Sequence, residues 1–341
     1  MLVPAVDLHT HILPERWPDL RARYGYGGWV NLEHCADCRA RMLIDGRHFR
    51  DIESNAWDPR RRLRECDAAH VGVQVLSTVP VMFSYWAKPA DALDLARILN
   101  DHIAGVVRDN PDRPRRFEGL GTVPMQDPAL AVRELERCVN DLGLRGIQIG
   151  THVDASDGVR NLDDASIFPV FEAAAALGAA VFVHPWDMMG KERMPRYWLP
   201  WLVGMPAETA LAACSIIFGG VLERLPALRI GLAHGGGAFP FTIGRIEHGF
   251  RERPDLCAVD NPRNPREYVR RIYFDSLVHD ADALRYLLHL AGPDRVALGS
   301  DYPFPLGERV PGELIRSMGL DDATQARLLR GTALEFLGLP S

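Results

Sequence analysis

Short apolar runs rich in β-branched residues alternate along this chain with longer stretches of helical periodicity. The runs predict strands at residues 3–8, 71–77, 117–123, 145–149, 179–183, 229–233, 272–275 and 295–299. The intervening periodicity predicts helices at residues 59–70, 89–109, 128–142, 163–177, 206–225, 239–253 and 280–291, with a further C-terminal pair after Pro311. Eight such units are typical of the TIM (β/α)8 barrel, an α/β fold, and an open doubly wound sheet is the alternative.

Residues 13–57 separate the first predicted strand from the first predicted helix. A strand-to-helix loop usually has about 2–6 residues, so this connection is long enough to fold by itself. Asp45 and Gly46 form a dipeptide that is typical of a hairpin turn. We therefore expect one domain over residues 1–341, with an inserted subdomain at 13–57 near the mouth of the active site.

The composition predicts a soluble protein that acts on a small molecule. The formal net charge is -6 and there is no basic block, so we expect no nucleic-acid partner. Uncharged apolar runs, such as residues 173–183, are shorter than the roughly 18 residues that a membrane span needs. Asp7 and His9 interrupt the first apolar run before it reaches the length of a signal peptide. The 6 cysteines are scattered, as free thiols usually are, and we expect a cytoplasmic protein without a membrane partner.

Metal-binding side chains fall at the predicted carboxyl ends of several strands. His9 and His11 close the first strand and point to the same face, because strand side chains alternate. His184, His234 and Asp301 close the fifth, sixth and eighth strands. One such histidine alone is more often a packed residue than a ligand, but active sites of these barrels lie at this end of the strands. Three imidazoles and a carboxylate are typical of a catalytic Zn²⁺ site that carries a water, with His234 as a fourth ligand or, as we prefer, a general base.

Longer motifs around these residues resemble one family. The sequences His-Pro-Trp-Asp-Met-Met-Gly (184–190), His-Gly-Gly-Gly-Ala-Phe (234–239) and Leu-Gly-Ser-Asp-Tyr-Pro-Phe-Pro-Leu-Gly-Glu (298–308) closely resemble the α-amino-β-carboxymuconate-ε-semialdehyde decarboxylase family of the amidohydrolase superfamily. The resemblance covers essentially the whole chain. It implies that His9, His11, His184 and Asp301 bind one zinc ion, with His234 as the acid/base beside it and Asp301 counted among the catalytic groups.

The same resemblance implies how substrate binds. Arg50 and Arg245 match two arginines that hold the carboxylates of a dicarboxylate substrate, and Arg245 is expected to come from the neighbouring subunit of a homodimer. Bidentate guanidinium pairing suits a carboxylate better than a lysine point charge does. Trp198 and Phe304 are candidates for contacts with a conjugated substrate, although aromatic residues in barrels often serve packing alone.

The implied activity is a zinc-dependent, non-oxidative decarboxylation of 2-amino-3-carboxymuconate 6-semialdehyde, in tryptophan catabolism by the kynurenine pathway or in related aromatic catabolism. By analogy with the family, either hydroxide from the zinc site, guided by His234, adds to the carbon that bears the carboxylate, or protonation comes first, and the resulting tetrahedral species loses CO₂. A decarboxylase of a related aromatic acid and a metal-dependent hydrolase of the same superfamily are the alternatives.

The lysine content favours one metal ion over two. Only Lys88 and Lys191 are lysines among the 39 basic residues. Two-metal members of the superfamily commonly use a carboxylated lysine at the end of strand four, where this chain reads Gly-Ile-Gln-Ile-Gly (146–150). We therefore expect a mononuclear centre.

Overall fold

The computed structural model describes residues 4–36, 38–110, 115–156 and 158–340. In chain order its strands are β1 (Ala5–Ile12), β2 (Val30–Ala36), β3 (Arg39–Ile44), β4 (Arg47–Glu53), β5 (Val71–Thr78), β6 (Phe117–Gly119), β7 (Gly146–Gly150), β8 (His152–Ala155), β9 (Gly158–Asn161), β10 (Ala180–His184), β11 (Arg229–Leu232), β12 (Tyr273–Asp275) and β13 (Val296–Ala297). The ends of the predicted domain, residues 1–3 and 341, lie outside the described residues, and Val3 of the first predicted strand is among them.

Helices connect the strands along most of the chain. They are α1 (Leu20–Tyr24), α2 (Pro59–Ala68), α3 (Pro89–Asp109), α4 (Pro128–Asn140), α5 (Phe168–Leu177), α6 (Met205–Phe218), α7 (Val221–Arg224), α8 (Phe239–Glu252), α9 (Pro254–Cys257), α10 (Ala281–Ala291), α11 (Glu313–Ser317), α12 (Asp322–Ala326) and α13 (Thr332–Leu337). The protein is thus a mixed α/β protein, as the alternation predicts.

Two parallel sheets form its centre. One has the strand order β1-β5-β6 and the other β13-β12-β11-β10-β7. An isolated parallel bridge between Gly121 and Ile147 connects the sheets at one side, and a second bridge between Thr10 and Tyr302 connects them at the other. Because all eight strands are parallel, their carboxyl ends lie on the same side of the molecule.

Each of the eight predicted strands has a counterpart, but several ends differ. β1 extends to Ile12 because His9 and His11, although polar, are at most 1% exposed and lie in a strand that pairs with β5. The third predicted strand, 117–123, ends as a strand at Gly119. The eighth, 295–299, is reduced to β13, because the chain then turns and the Ser300 amide donates to the buried Asp7 carboxylate at 3.0 Å.

Proline and aspartate signals locate some helix starts but not all. Asp58 and Asp127 cap α2 and α4, and their carboxylates accept hydrogen bonds from the first-turn amides, as predicted. The start of the fourth predicted helix at residue 163 is wrong, since α5 begins at Phe168. The Asp164 carboxylate instead accepts from the amide and hydroxyl of Ser166, which makes a local turn before the helix.

The long connection after β1 contains an antiparallel sheet of order β2-β3-β4. Asp45 and Gly46 have φ values of 49° and 74° between the paired residues Ile44 and Arg47, which confirms the predicted hairpin turn. Buried apolar side chains of this sheet and of α3 belong to one cluster, which fixes the sheet against the parallel core. Arg50 lies on β4, and its position therefore depends on this packing.

One helical run, residues 200–218, is long and apolar enough to cross a membrane by length and composition alone. Half of it is buried within the protein, as in the core helices of soluble proteins. The segment is not an uncharged apolar run in the sequence, because Glu208 lies within it.

Candidate metal centre

Four metal-binding side chains converge at the carboxyl ends of the parallel strands. His9 and His11 lie on β1, His184 is the last residue of β10, and Asp301 follows β13. Each offers one ligand atom, and these atoms lie within 4.8 Å of one another. All four residues are buried. This buried site brings together all four residues predicted as metal ligands.

The outer nitrogens of the three imidazoles are held by hydrogen bonds. Nδ1 of His11 donates to the Thr78 carbonyl at 2.9 Å, and Nδ1 of His184 donates to the Pro185 carbonyl at 2.7 Å. A carbonyl can only accept, so each Nδ1 carries the proton and each neutral ring presents its Nε2 lone pair to the centre. Nε2 of His184 is buried and has no hydrogen-bond partner among the described residues.

The inner ligand atoms approach one another closely. Nε2 of His11 lies 3.1 Å from Nε2 of His9 and 2.9 Å from Oδ1 of Asp301. Burial lowers the pKa of His11, which favours its neutral form. Two lone pairs and a carboxylate oxygen at these distances repel one another unless a cation lies between them. The donor set therefore fits a metal ion, and oriented outer nitrogens are typical of histidine ligands.

Asp301 is held in an ionised form and an uncommon backbone conformation. Burial raises the pKa of a carboxyl group, but the imidazoles of His11, His234 and His9 reverse this and keep the pKa of Asp301 well below its usual range. Its φ of 55° lies in the left-handed region, which is uncommon for a residue with a side chain and which aspartate tolerates better than most.

His234 lies beside the four candidate ligands and outside their group. It follows β11, and its ring centroid is 4.9 Å from that of His184 and 5.2 Å from that of His9. Its Nε2 is 3.9 Å from Oδ2 of Asp301, and its buried Nδ1 has no hydrogen-bond partner among the described side chains. Burial lowers the pKa of His234, but the Asp301 carboxylate offsets this and raises it above the usual value. The Asp301 carboxylate thus favours the protonated form of the ring, which suits the predicted acid/base role.

Asp275 orients two of these histidines, and the sequence patterns did not single it out. Its carboxylate accepts from Nδ1 of His9 at 2.6 Å and from the amides of His234 and Gly235 at 2.9 and 2.7 Å. Asp275 is 0% exposed, and it ends the seventh predicted strand, 272–275. Asp275 carries the same sequence signal as Asp301, because both are acids at the carboxyl end of a predicted strand.

A cavity of about 480 Å³ opens above the metal-binding groups. His11, His184 and Asp301 line its inner part, and Arg50, Trp198 and Phe304 are among its walls. The Arg50 guanidinium carbon lies 4.4 Å from the centroid of the Phe304 ring, and burial lowers the pKa of this arginine. Trp198 is 43% exposed, with a φ of 57°, and lies at the rim. The volume and the buried Arg50 guanidinium suit a small anionic ligand.

Arg245 is a predicted site residue that lies outside both the metal-binding group and the residues that line this cavity. It lies on α8 and is exposed, and it is absent from the residues that line the cavity. Its predicted contribution across a dimer interface stays a prediction.

Known proteins match this chain along nearly its whole length. A family model described as amidohydrolase matches residues 6–339. The 2-amino-3-carboxymuconate-6-semialdehyde decarboxylase of Dictyostelium discoideum is 62% identical over 98% of this chain and 91% of its own length.

Two solved decarboxylases have a similar structure. The 5-carboxyvanillate decarboxylase LigW of Sphingomonas paucimobilis has a TM-score of 0.75 and 32% identity over 84% of this chain and 85% of its own. The dihydroxybenzoic acid decarboxylase of Polaromonas sp. JS666, solved with manganese and the inhibitor 2-nitroresorcinol, has a TM-score of 0.78. It is 23% identical over 99% of this chain and 97% of its own, which shows a shared fold. With the motifs and the buried His/Asp site, these matches show that the chain belongs to the 2-amino-3-carboxymuconate-6-semialdehyde decarboxylase family of the amidohydrolase superfamily.

Proposed function

We propose that this protein is a metal-dependent, non-oxidative decarboxylase of 2-amino-3-carboxymuconate 6-semialdehyde. The observation that carries the proposal is the buried group of His9, His11, His184 and Asp301, with the His234 ring beside it and Arg50 in the wall of the adjoining cavity. The 62% identity to the Dictyostelium discoideum enzyme supports the choice of substrate. The substrate places the reaction in tryptophan catabolism by the kynurenine route.

We propose one zinc ion per subunit, held by His9, His11, His184 and Asp301. Three nitrogens and one oxygen are ligands that Zn²⁺ favours, although manganese is bound in the Polaromonas relative. When bound, the metal supplies Lewis-acid polarisation and lowers the pKa of a water in the site. The few lysines, with none in 146–150, support a single ion.

Arg50 and the aromatic walls position the substrate. The Arg50 fork can bind a carboxylate through two hydrogen bonds, and its contact with Phe304 limits the directions in which it can point. The Trp198 and Phe304 rings exclude water from one side of a planar, conjugated molecule. Loss of CO₂ leaves an electron pair that the substrate's own enamine and aldehyde can hold, so the chain needs no organic cofactor for it.

His234 is the proton carrier in this proposal. The Asp301 carboxylate raises the pKa of His234 and so favours its protonated form, and Nε2 of the ring lies 3.9 Å from Oδ2 of that carboxylate. From this position it can give its proton to the carbon that loses CO₂, so that a C–H bond replaces the broken C–C bond and the carboxylate leaves as CO₂. Asp275 fixes the His234 backbone, which keeps this ring within reach of the cavity.

We further propose that the parallel strands close into a (β/α)8 barrel over one domain, with residues 13–57 as an inserted subdomain. Support comes from the two bridges between the sheets and from the hydrogen bond of the Leu8 amide to the Leu298 carbonyl at 2.9 Å. The exposed Arg245 supports a homodimer that shares this arginine, since Arg50 is the one arginine that the described residues bring to the cavity and the substrate has two carboxylates. The 6 free thiols support a cytoplasmic location.

Substrate turnover tests the proposal directly. We expect the ultraviolet band of 2-amino-3-carboxymuconate 6-semialdehyde to decay with release of one CO₂ per molecule when the metal-loaded protein is added. 2,6-Dihydroxybenzoate and 5-carboxyvanillate serve as comparison substrates, because the solved relatives act on aromatic acids of this kind. Decarboxylation of these acids alone would favour the aromatic-acid alternative, and hydrolysis of amides or lactones without any CO₂ release would favour the hydrolase. No decay of the band with metal bound would contradict the proposed activity.

A further inference from the structure

A single arginine side chain is buried directly behind the metal-binding strand. The first turn of α2 contains three consecutive arginines, each in a different environment: Arg60, Arg61 and Arg62. Arg60 is exposed, and Arg61 forms ion pairs with Glu53 and Glu65 at 2.6 and 2.7 Å. Arg62 turns inward and is 0% exposed. Neither the comparisons nor the proposed reaction gives this residue a role.

The Arg62 guanidinium donates hydrogen bonds to uncharged oxygens. One Nη donates to the carbonyls of His11 at 2.6 Å and Asn55 at 3.0 Å. The other donates to the Thr10 hydroxyl at 3.0 Å, and Nε donates to the Gln74 amide oxygen at 3.1 Å. Burial of a charge held only by uncharged groups costs free energy of desolvation. An apolar side chain would stabilise the protein better if this position served packing alone.

The same guanidinium contacts the chain that follows strand β13. Its central carbon lies 4.7 Å from the centroid of the Tyr302 ring, and the Tyr302 hydroxyl donates to Glu65. Tyr302 is the residue after Asp301, and its carbonyl accepts from the His11 amide at 2.8 Å. One side chain therefore touches the backbone of one candidate ligand and the neighbour of another.

Asp301 needs such support more than the other ligands do. Its φ of 55° is unfavourable for a residue with a side chain, and such conformations persist only when the surroundings fix them. The Tyr302 ring, packed on Arg62, fixes the residue next to it. His11 gains similar support, because the Arg62 hydrogen bond to its carbonyl limits rotation of the strand end.

We propose that Arg62 is a positioning residue of the metal centre, which locks the ends of β1 and β13 together so that the His11 imidazole and the Asp301 carboxylate meet at one ion. This inference rests on the proposed metal site. Arg62 touches no substrate, and its effect is on the affinity and geometry of the bound metal.

Metal affinity of variants tests this role. Arg62→Met removes the hydrogen bonds, Arg62→Lys keeps the charge with fewer donors, and Arg64→Met changes an exposed arginine of the same helix as the control. Competition with a chromophoric chelator gives the Kd for Zn²⁺, and the visible spectrum of the Co²⁺-loaded protein reports ligand geometry. We expect Arg62→Met to weaken Zn²⁺ binding by about 10–100-fold and to alter the Co²⁺ spectrum, with Arg62→Lys in between and Arg64→Met unchanged.

The outcomes separate this inference from the proposed function. A wild-type protein that binds no metal would contradict the metal centre itself. A wild type that binds metal, with an Arg62→Met protein of equal Kd and identical Co²⁺ spectrum, would overturn only the role of Arg62. If Arg62→Met does not fold, Arg62→Lys decides, since a wild-type Kd and spectrum in that variant would overturn the role as well.

Discussion

His234 differs from the other histidines of the site in the surroundings of its ring nitrogens. Nδ1 of His11 and Nδ1 of His184 each donate a hydrogen bond to a backbone carbonyl. The buried Nδ1 of His234 has no hydrogen-bond partner among the described residues. His234 is also outside the group of atoms that lie within 4.8 Å of one another. These differences support the proposal that His234 carries a proton and that its neighbours bind the metal.

The His234→Asn variant tests that division of roles. We expect kcat to fall by about 10²–10⁴-fold, because a positioned acid/base contributes this much, while the metal content stays that of the wild type. Steady-state decay of the substrate band and elemental analysis of the same sample measure both quantities. Loss of the metal would make His234 a ligand, and retained activity would remove it from the mechanism.

His102 gives a test of stability at the same scale. It lies on α3, its Nε2 is buried without a hydrogen-bond partner in the described part of the chain, and burial together with the Arg62 charge lowers its pKa to about 4. The unfolded chain binds a proton at this residue below about pH 6.5, whereas the folded protein does not until about pH 4. The folded state is therefore penalised progressively as the pH falls through that window.

We expect His102→Gln to reduce this loss. Between pH 7.5 and 4.5 the free energy of unfolding of the wild type should fall by up to about 3 kcal/mol more than that of the variant. Urea unfolding at intervals of one pH unit measures the difference, which should be independent of pH above about pH 7.5. Parallel curves for the two proteins over the whole range would show that His102 titrates alike in both states.

At the scale of elements, sequence periodicity predicts which segments become strands and helices better than where they end. β-branched runs located all eight parallel strands, because interior parallel strands are buried on both faces and read as apolar runs. The ends were harder to predict. His9 and His11 continue a strand although they are polar, and residues 163–167 form a turn although Asp163 resembles a helix cap. The end of β1 is decided by pairing with the distant strand β5, and the turn before α5 by the hydrogen bonds of Ser166 to the Asp164 carboxylate.

Gly150 shows how a strand end shapes the cavity. It ends β7, and a Cβ at this position would lie 2.4 Å from the Trp186 ring and 2.9 Å from the Tyr85 ring. Trp186 lines the cavity and is fixed by the hydrogen bond from its Nε1 to the His152 carbonyl at 2.9 Å. An added methyl group must therefore push the Trp186 ring away from the strand.

Gly150→Ala is expected to lower the free energy of unfolding by about 1–3 kcal/mol and to raise KM more than it lowers kcat. Thermal or urea unfolding and steady-state kinetics measure the two effects. Gly105→Ala is the control, because a Cβ there meets only the Arg108 guanidinium at 3.7 Å and alanine favours a helix. A Gly150→Ala protein with wild-type KM and stability would show that the Trp186 wall is not rigid.

At the scale of the whole molecule, the sequence predicts which distant residues converge on the site but not every residue that holds them in place. His9, His11, His184 and Asp301 come together because the carboxyl ends of parallel strands meet, which sequence spacing alone indicates. Asp275 ends a predicted strand and could have been found in the same way. Arg62 could not, since nothing local distinguishes it from Arg60 and Arg61 beside it.

A shared active site is a property of the assembled molecule. If Arg245 acts across a dimer interface, Arg245→Ala and His184→Ala each inactivate the homodimer, but a mixed dimer keeps one complete site. We expect an equimolar mixture, after subunit exchange, to recover roughly a quarter of wild-type activity. Activity of the mixture against each variant alone is the measurement. Mixed dimers that form without any recovery would place Arg245 outside the active site.

The central claim is that a metal ion held by His9, His11, His184 and Asp301 is required for decarboxylation. Metal content and CO₂ release should be followed in one sample through chelation and return of Zn²⁺, with His184→Ala alongside. We predict about one metal ion per wild-type chain, loss of CO₂ release when it is removed, recovery when it returns, and neither metal nor activity in His184→Ala. Full CO₂ release from the metal-free protein would contradict the claim.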